Sequence, residues 1–206
     1  MELISADEFW RSAQAHGVGP DPRYPASDHP AFAARRDGPS RFWTFPTDAT
    51  ELAHFADALV GALGAWTLAD AYVPRRWADP ATGPEWPNAH VWNTLLEGFG
   101  IGRAFQGAVR VRPAERVALV ALVFTYASLG AALLNDLVLV PDTGQSFAFL
   151  EHHHVVWVHA TTDEEMERII THMASVGYEL PTEAPDATFK AVSWLDESGQ
   201  SRTNGA

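Results

Sequence analysis

The sequence predicts an α+β fold in which a mostly antiparallel sheet, including a C-terminal three-stranded meander, is packed by four to five helices. Two observations carry this prediction. Helix and strand patterns alternate in the first part of the chain, whereas three strand-like segments follow one another closely near its end. Such consecutive hairpins are typical of α+β folds rather than of a doubly wound parallel sheet.

Three capping boxes mark helix starts. In the first, the Ser5 hydroxyl can accept a hydrogen bond from the Glu8 amide, and the Glu8 side chain can reach back to Ser5. The pattern recurs at residues 48–51 and, most strongly, at residues 162–165. Each box precedes an apolar run at helical spacing, and each run stops at a glycine suited to the left-handed conformation, namely Gly17, Gly64 and Gly177.

Two further helices have weaker signals. Asn88 is a candidate cap, and Pro113 fits the first turn of a helix that begins near Ala114. Residues 117–134 within that last helix are almost entirely apolar, and the length of this run is about the minimum of roughly 18 residues that a membrane span needs. Because this run contains polar residues and leads straight into a strand pattern, we predict a buried helix and no membrane partner.

The late strands are rich in β-branched and aromatic residues. They cover residues 136–141, 146–151 and 155–160, with turns predicted at 142–145 and 151–154. Earlier strands are predicted at 41–45, 66–73 and 105–111.

Two long loops, 17–40 and 74–87, interrupt the pattern, and loops of this length are often functional. We predict one domain over residues 1–195 and a disordered polar tail over 196–206.

The chain of 206 residues has 47% apolar residues, no cysteine and a formal net charge of −12. The missing cysteines exclude disulfides and thiolate chemistry. An acidic surface repels phosphate backbones, so nucleic acid is not an expected partner, whereas a basic protein would be attracted. The first residues lack a basic region followed by an apolar one, which predicts cytoplasmic residence.

Histidines cluster at Glu151–His154. In an extended strand, His152 and His154 would share one face about 6.6 Å apart and could chelate zinc or another divalent metal, whereas His153 and His159 would point to the other face. Such a site needs a third ligand that the sequence does not name. If these residues form a turn instead, the spacing fails and the cluster is a polar hairpin tip.

Eight tryptophans are many for this length. Trp77 and Trp86 fall in a proline-rich loop, where they either pack the loop onto the core or serve as partner-binding anchors. Asp136 begins one predicted strand and Glu151 ends the next, so the two carboxylates could meet at a sheet edge, although no acid–base pair follows from that alone.

The predicted core takes its members from the apolar stripe or face of each element. It consists of Leu52, Phe55, Leu59, Val120, Phe124, Leu139, Phe149, Trp157, Ile169 and Met173.

Two hypotheses follow for function. The first is a binding protein, by analogy an immunity-type inhibitor of a basic partner protein, because the chain combines acidity, aromatic-bearing loops and no catalytic motif. The second is a metal-dependent hydrolase or metal-binding protein that uses His152 and His154. Catalytic residues are unknown on either hypothesis.

Overall fold

A computed structural model describes residues 1–20, 33–35, 38–73, 87–102, 105–129, 136–151 and 154–182. The elements in chain order are β1 (Glu2–Ser5), α1 (Ala6–Ala15), β2 (Val18–Pro20), β3 (Ala33–Arg35), β4 (Ser40–Thr44), α2 (Ala49–Ala62), β5 (Ala69–Val73), α3 (Pro87–Gly98), β6 (Gly107–Val111), a short 3-10 helix (Pro113–Glu115), α4 (Arg116–Leu129), β7 (Leu137–Pro141), β8 (Ser146–Glu151), β9 (Val155–Ala160) and α5 (Asp163–Ser175).

Seven strands form one sheet in the order β1-β6-β5-β7-β8-β9-β4, and every pairing in it is antiparallel. The prediction of an α+β fold with a C-terminal meander is confirmed, because β7, β8 and β9 are consecutive neighbours. β2 and β3 form a separate two-stranded ribbon. This ribbon and β1 were not predicted, since three or four residues are too few to show an alternating pattern.

The predicted caps form where the pattern placed them. The Ser5 hydroxyl accepts from the Glu8 amide, the Asp48 carboxylate accepts from the Thr50 and Glu51 amides, and the Thr162 hydroxyl accepts from the Glu165 amide. Each contact gives a partner to an amide that the first helical turn leaves unpaired. The Glu8 side chain differs from the prediction, because its carboxylate accepts from Arg110 on β6.

Some predicted boundaries are wrong by a few residues. α3 begins at Pro87, so Asn88 lies inside the first turn rather than before it. The fixed φ of proline suits the first helical position, which explains the earlier start. α4 is preceded by a 3-10 turn from Pro113 to Glu115. None of the helices in the described ranges is long and apolar enough to cross a bilayer.

The sheet has an apolar cluster on each face. On one face α2, α4 and α5 cover the larger cluster, which includes Leu59, Leu122 and Ile169. On the other face α1 packs against β5 and β6, with Phe9 and Trp10 of α1 around Tyr72. The chain therefore builds three layers, in which a central sheet separates a thick helical layer from a thin one.

The predicted core is mostly correct. Seven of its ten members are buried, namely Leu52, Phe55, Leu59, Leu139, Phe149, Ile169 and Met173. Val120, Phe124 and Trp157 are only partly buried. α4 is apolar all round, so its hydrophobic pattern could not separate the inner side chains from the outer ones. Residues 183–206, including the predicted tail, lie outside the described ranges.

Candidate functional site

The turn between β8 and β9 carries the histidines predicted as metal ligands. His154 has a φ of 65°, and its carbonyl accepts a hydrogen bond from the Phe45 amide at 2.9 Å. A φ in this range is not that of an extended strand at His154 itself. His152 lies outside the described residues, so a metal site shared by His152 and His154 stays a prediction. Within the ranges the structure covers, no three His, Asp or Glu side chains converge as a metal site would require.

Two carboxylates and a phenol lie at the same end of the sheet as this turn. Asp136 immediately precedes β7 and is 1% exposed, while Glu151 ends β8, and Leu137 pairs with Leu150 beside them. Burial raises the pKa of the Tyr126 phenol well above its ordinary value, and the negative charges of Asp136 and Glu151 raise it further. The strand register therefore brings together the two carboxylates that the sequence could only suggest as neighbours.

A shallow pocket with a cavity volume of about 60 Å³ opens at the other end of β5 and β7. The C-terminal half of α1 forms one wall, and the ends of β5, β6 and β7 form the rest. The residues around it are Ser12, His16, Leu68, Asp70, Arg110, Val140, Pro141 and Asp142. This volume is several-fold below the roughly 300–1,000 Å³ of typical small-molecule sites.

A group of charged side chains lines the pocket. Arg110 donates to both carboxylate oxygens of Asp70, at 2.8 and 2.9 Å, and to Glu8 at 3.1 Å. The hydrogen bond to Asp70 is the main reason that the pKa of Arg110 is raised. Asp70 and Arg110 are opposite each other in the β5–β6 register, so the pair is fixed by the sheet itself. Because Arg110 already binds two carboxylates, it is poorly placed to recruit an anionic ligand.

Asp142 lies on the rim of the same pocket. Its carboxylate accepts from the Thr67 amide at 3.0 Å and from the Thr67 hydroxyl. Desolvation alone would raise the pKa of Asp142, but the hydrogen bonds from Thr67, together with those from the backbone of Leu68 and of Asp142 itself, outweigh it and the pKa is lowered. The ring of His16, which also lines the pocket, lies against Gly144, where a Cβ atom would come within 2.1 Å of Nδ1. The pocket is thus held by contacts that also join α1 and β5 to the β7–β8 turn.

The predicted tryptophan anchors, Trp77 and Trp86, lie outside the described residues. Among the others, Trp43, Trp66 and Trp92 are buried. Trp157 is only partly buried, and its indole Nε1 donates to the Glu151 carboxylate at 3.4 Å.

Trp157 is the centre of an aromatic surface on β8, β9 and β4. Its neighbours across the strands are Phe149 and Phe42, so the three rings form one row on the sheet face that α1 shares. A second row pairs Phe147 with His159, whose rings are stacked with centroids 4.5 Å apart. We refer to these two rows as the aromatic face. The sequence did not predict it, because cross-strand neighbours depend on a register that pattern alone does not fix.

No protein-family model matches the chain, and neither a curated protein nor a solved structure is similar to it.

Proposed function

We propose that this chain is a cytoplasmic binding protein for a basic protein partner, acting in the manner of an immunity-type inhibitor. One observation carries the proposal: the fold's own carboxylates already bind several of its guanidinium groups. Arg116 binds Asp57, and Arg168 binds Glu165, in addition to the Arg110 group described above. Cationic charge is thereby neutralised locally, while the chain as a whole carries a net charge of −12.

Exposed carboxylates on α5 support the same proposal. Asp163, Glu164 and Glu167 are all exposed. The helix dipole gives Asp163 and Glu164 a structural role at the N-terminus. Glu167 lies beyond the first turn, so interaction with the helix dipole does not explain why an acidic residue occupies this exposed position. A negative surface of this kind accelerates association with a positive partner.

The test is capture from the native host followed by binding kinetics. We expect a stoichiometric basic partner whose association slows strongly when salt is raised from about 50 to about 500 mM, while dissociation changes little. Combined Glu164→Gln and Glu167→Gln substitutions should slow association at low salt. Combined Glu2→Gln and Asp7→Asn substitutions, which remove the same charge at exposed positions in and beside α1, are the matched control and should slow association less. Capture of an acidic partner, or salt-independent association, would contradict the proposal.

Trp77 and Trp86 remain the proposed anchors of this interface. Their loop contains Pro80 and Pro84, and prolines reduce the loop entropy that docking would cost. Trp77→Ala or Trp86→Ala should then weaken binding by about 2 kcal/mol or more, with little change in melting temperature. A large fall in melting temperature for both variants would show that the rings pack onto the core instead.

A further inference from the structure

The aromatic face differs from an ordinary packed sheet face at its outer strands. Phe149 on β8 is buried, at 6% exposed, whereas Trp157 on β9 and Phe42 on β4 are both partly exposed. The rings of Phe42 and Trp157 are 5.3 Å apart and inclined at 48°. They therefore form an angled aromatic pair near the sheet edge rather than a closed stack.

The carboxylate of Glu151 lies beside this pair of rings. Glu151 is partly exposed, and its Oε2 accepts from the Trp157 indole at 3.4 Å. That contact fixes the indole edge toward the carboxylate. The electron-rich ring face attracts cations, and a carboxylate can accept from more than one donor.

We infer that Trp157, Phe42 and Glu151 form a subsite for one arginine side chain of the basic partner. A planar guanidinium can stack on the indole and donate to Glu151 at the same time, which a lysine ammonium cannot do equally well. The excess negative charge of the chain favours the same occupant. This inference rests on the proposed function. It locates one contact of the proposed interface on the aromatic face and names arginine as the partner side chain.

The subsite can be tested without the partner, by NMR of 15N-labelled indole groups. The probe is acetyl-arginine methylamide, and its neutral isostere acetyl-citrulline methylamide is the reference. Trp157→Phe identifies the Trp157 signal. We expect that signal to shift saturably with the arginine probe, in the range of about 10–100 mM, and to shift at least fivefold less with citrulline.

Two controls make the outcome decisive. Trp43 on β4 is buried on the opposite face, where its indole donates to the Tyr178 carbonyl, so its signal should not move. Glu151→Gln keeps the side-chain volume and should weaken the arginine response several-fold. Equal shifts with citrulline, an equal response at Trp43, or no response at all would overturn the inference.

Failure here is distinguishable from failure of the proposed function. If a basic partner is captured but Trp157→Phe and Glu151→Gln leave its dissociation rate unchanged, the subsite is wrong and the function stands. If no basic partner exists, the function fails whatever the probe does.

Discussion

At the scale of single residues, the role of a buried charge could not be predicted from its position in the sequence. Asp70 lies in a strand whose five residues are all buried, and Arg110 lies in another mostly apolar strand. Either residue alone looks like an interruption of the apolar pattern. They become a bidentate pair only when β5 and β6 align, and that alignment is a long-range property absent from any local pattern.

Arg110→Ala should therefore destabilise the fold by about 3 kcal/mol or more, because it leaves the Asp70 carboxylate buried without its main cation. The double variant Arg110→Met with Asp70→Leu should be less destabilised than Arg110→Ala, since it removes both charges. Denaturant titration of the two proteins measures this difference. A double variant as unstable as the single one would mean that packing, rather than charge, dominates the site.

Asp142 gives a pH-dependent prediction. Because its pKa is lower in the folded state than its ordinary value of 3.8, its contribution to stability is complete above about pH 4 and is lost as pH falls through the folded pKa. Asp142→Asn should flatten the decline of unfolding free energy below about pH 4. Denaturant midpoints measured from pH 6 to pH 2 test this. Parallel curves for the variant and the parent chain would show that the Thr67 contacts do not stabilise the ionised form.

At the scale of elements, the features that depend on local sequence signals were predicted, whereas those that depend on long-range strand pairing were not. Strands β8 and β9 have the predicted bounds, and the Thr162 cap forms as expected, because alternation and capping are both short-range signals. The aromatic face could not be predicted for the opposite reason. Phe42 and Trp157 are far apart in the sequence and meet only through the β4–β9 register.

The two faces of the sheet can be tested with one large-to-small change on each. Phe149→Ala on β8 and Ile169→Ala on α5 should each cost about 2–5 kcal/mol, because both side chains are buried in separate apolar clusters. Val117→Ala on α4, at 80% exposed, is the control and should change stability by less than about 0.5 kcal/mol. Thermal melts that match the parent chain for both core variants would show that the layers are misassigned.

At the scale of the whole molecule, the charge imbalance should be visible in stability. A net charge of −12 gives the compact state a self-repulsion that salt screens. We expect the melting temperature to rise when sodium chloride is increased from about 20 to about 200 mM. A fall over this range would mean that the internal ion pairs, which salt weakens, outweigh the repulsion.

The strand order has a consequence for how the protein is made. Both edges of the sheet, β1 and β4, come from the N-terminal part of the chain, and their neighbours, β6 and β9, are made much later. Ser40 pairs with His159, so at about 5–20 residues per second the ribosome needs on the order of ten seconds to supply the partner of β4. During that interval the nascent chain carries unpaired strands with apolar side chains. Sheet closure must await β9, the last strand in the part of the chain that the structure describes, and dependence on chaperones during translation is the expected result.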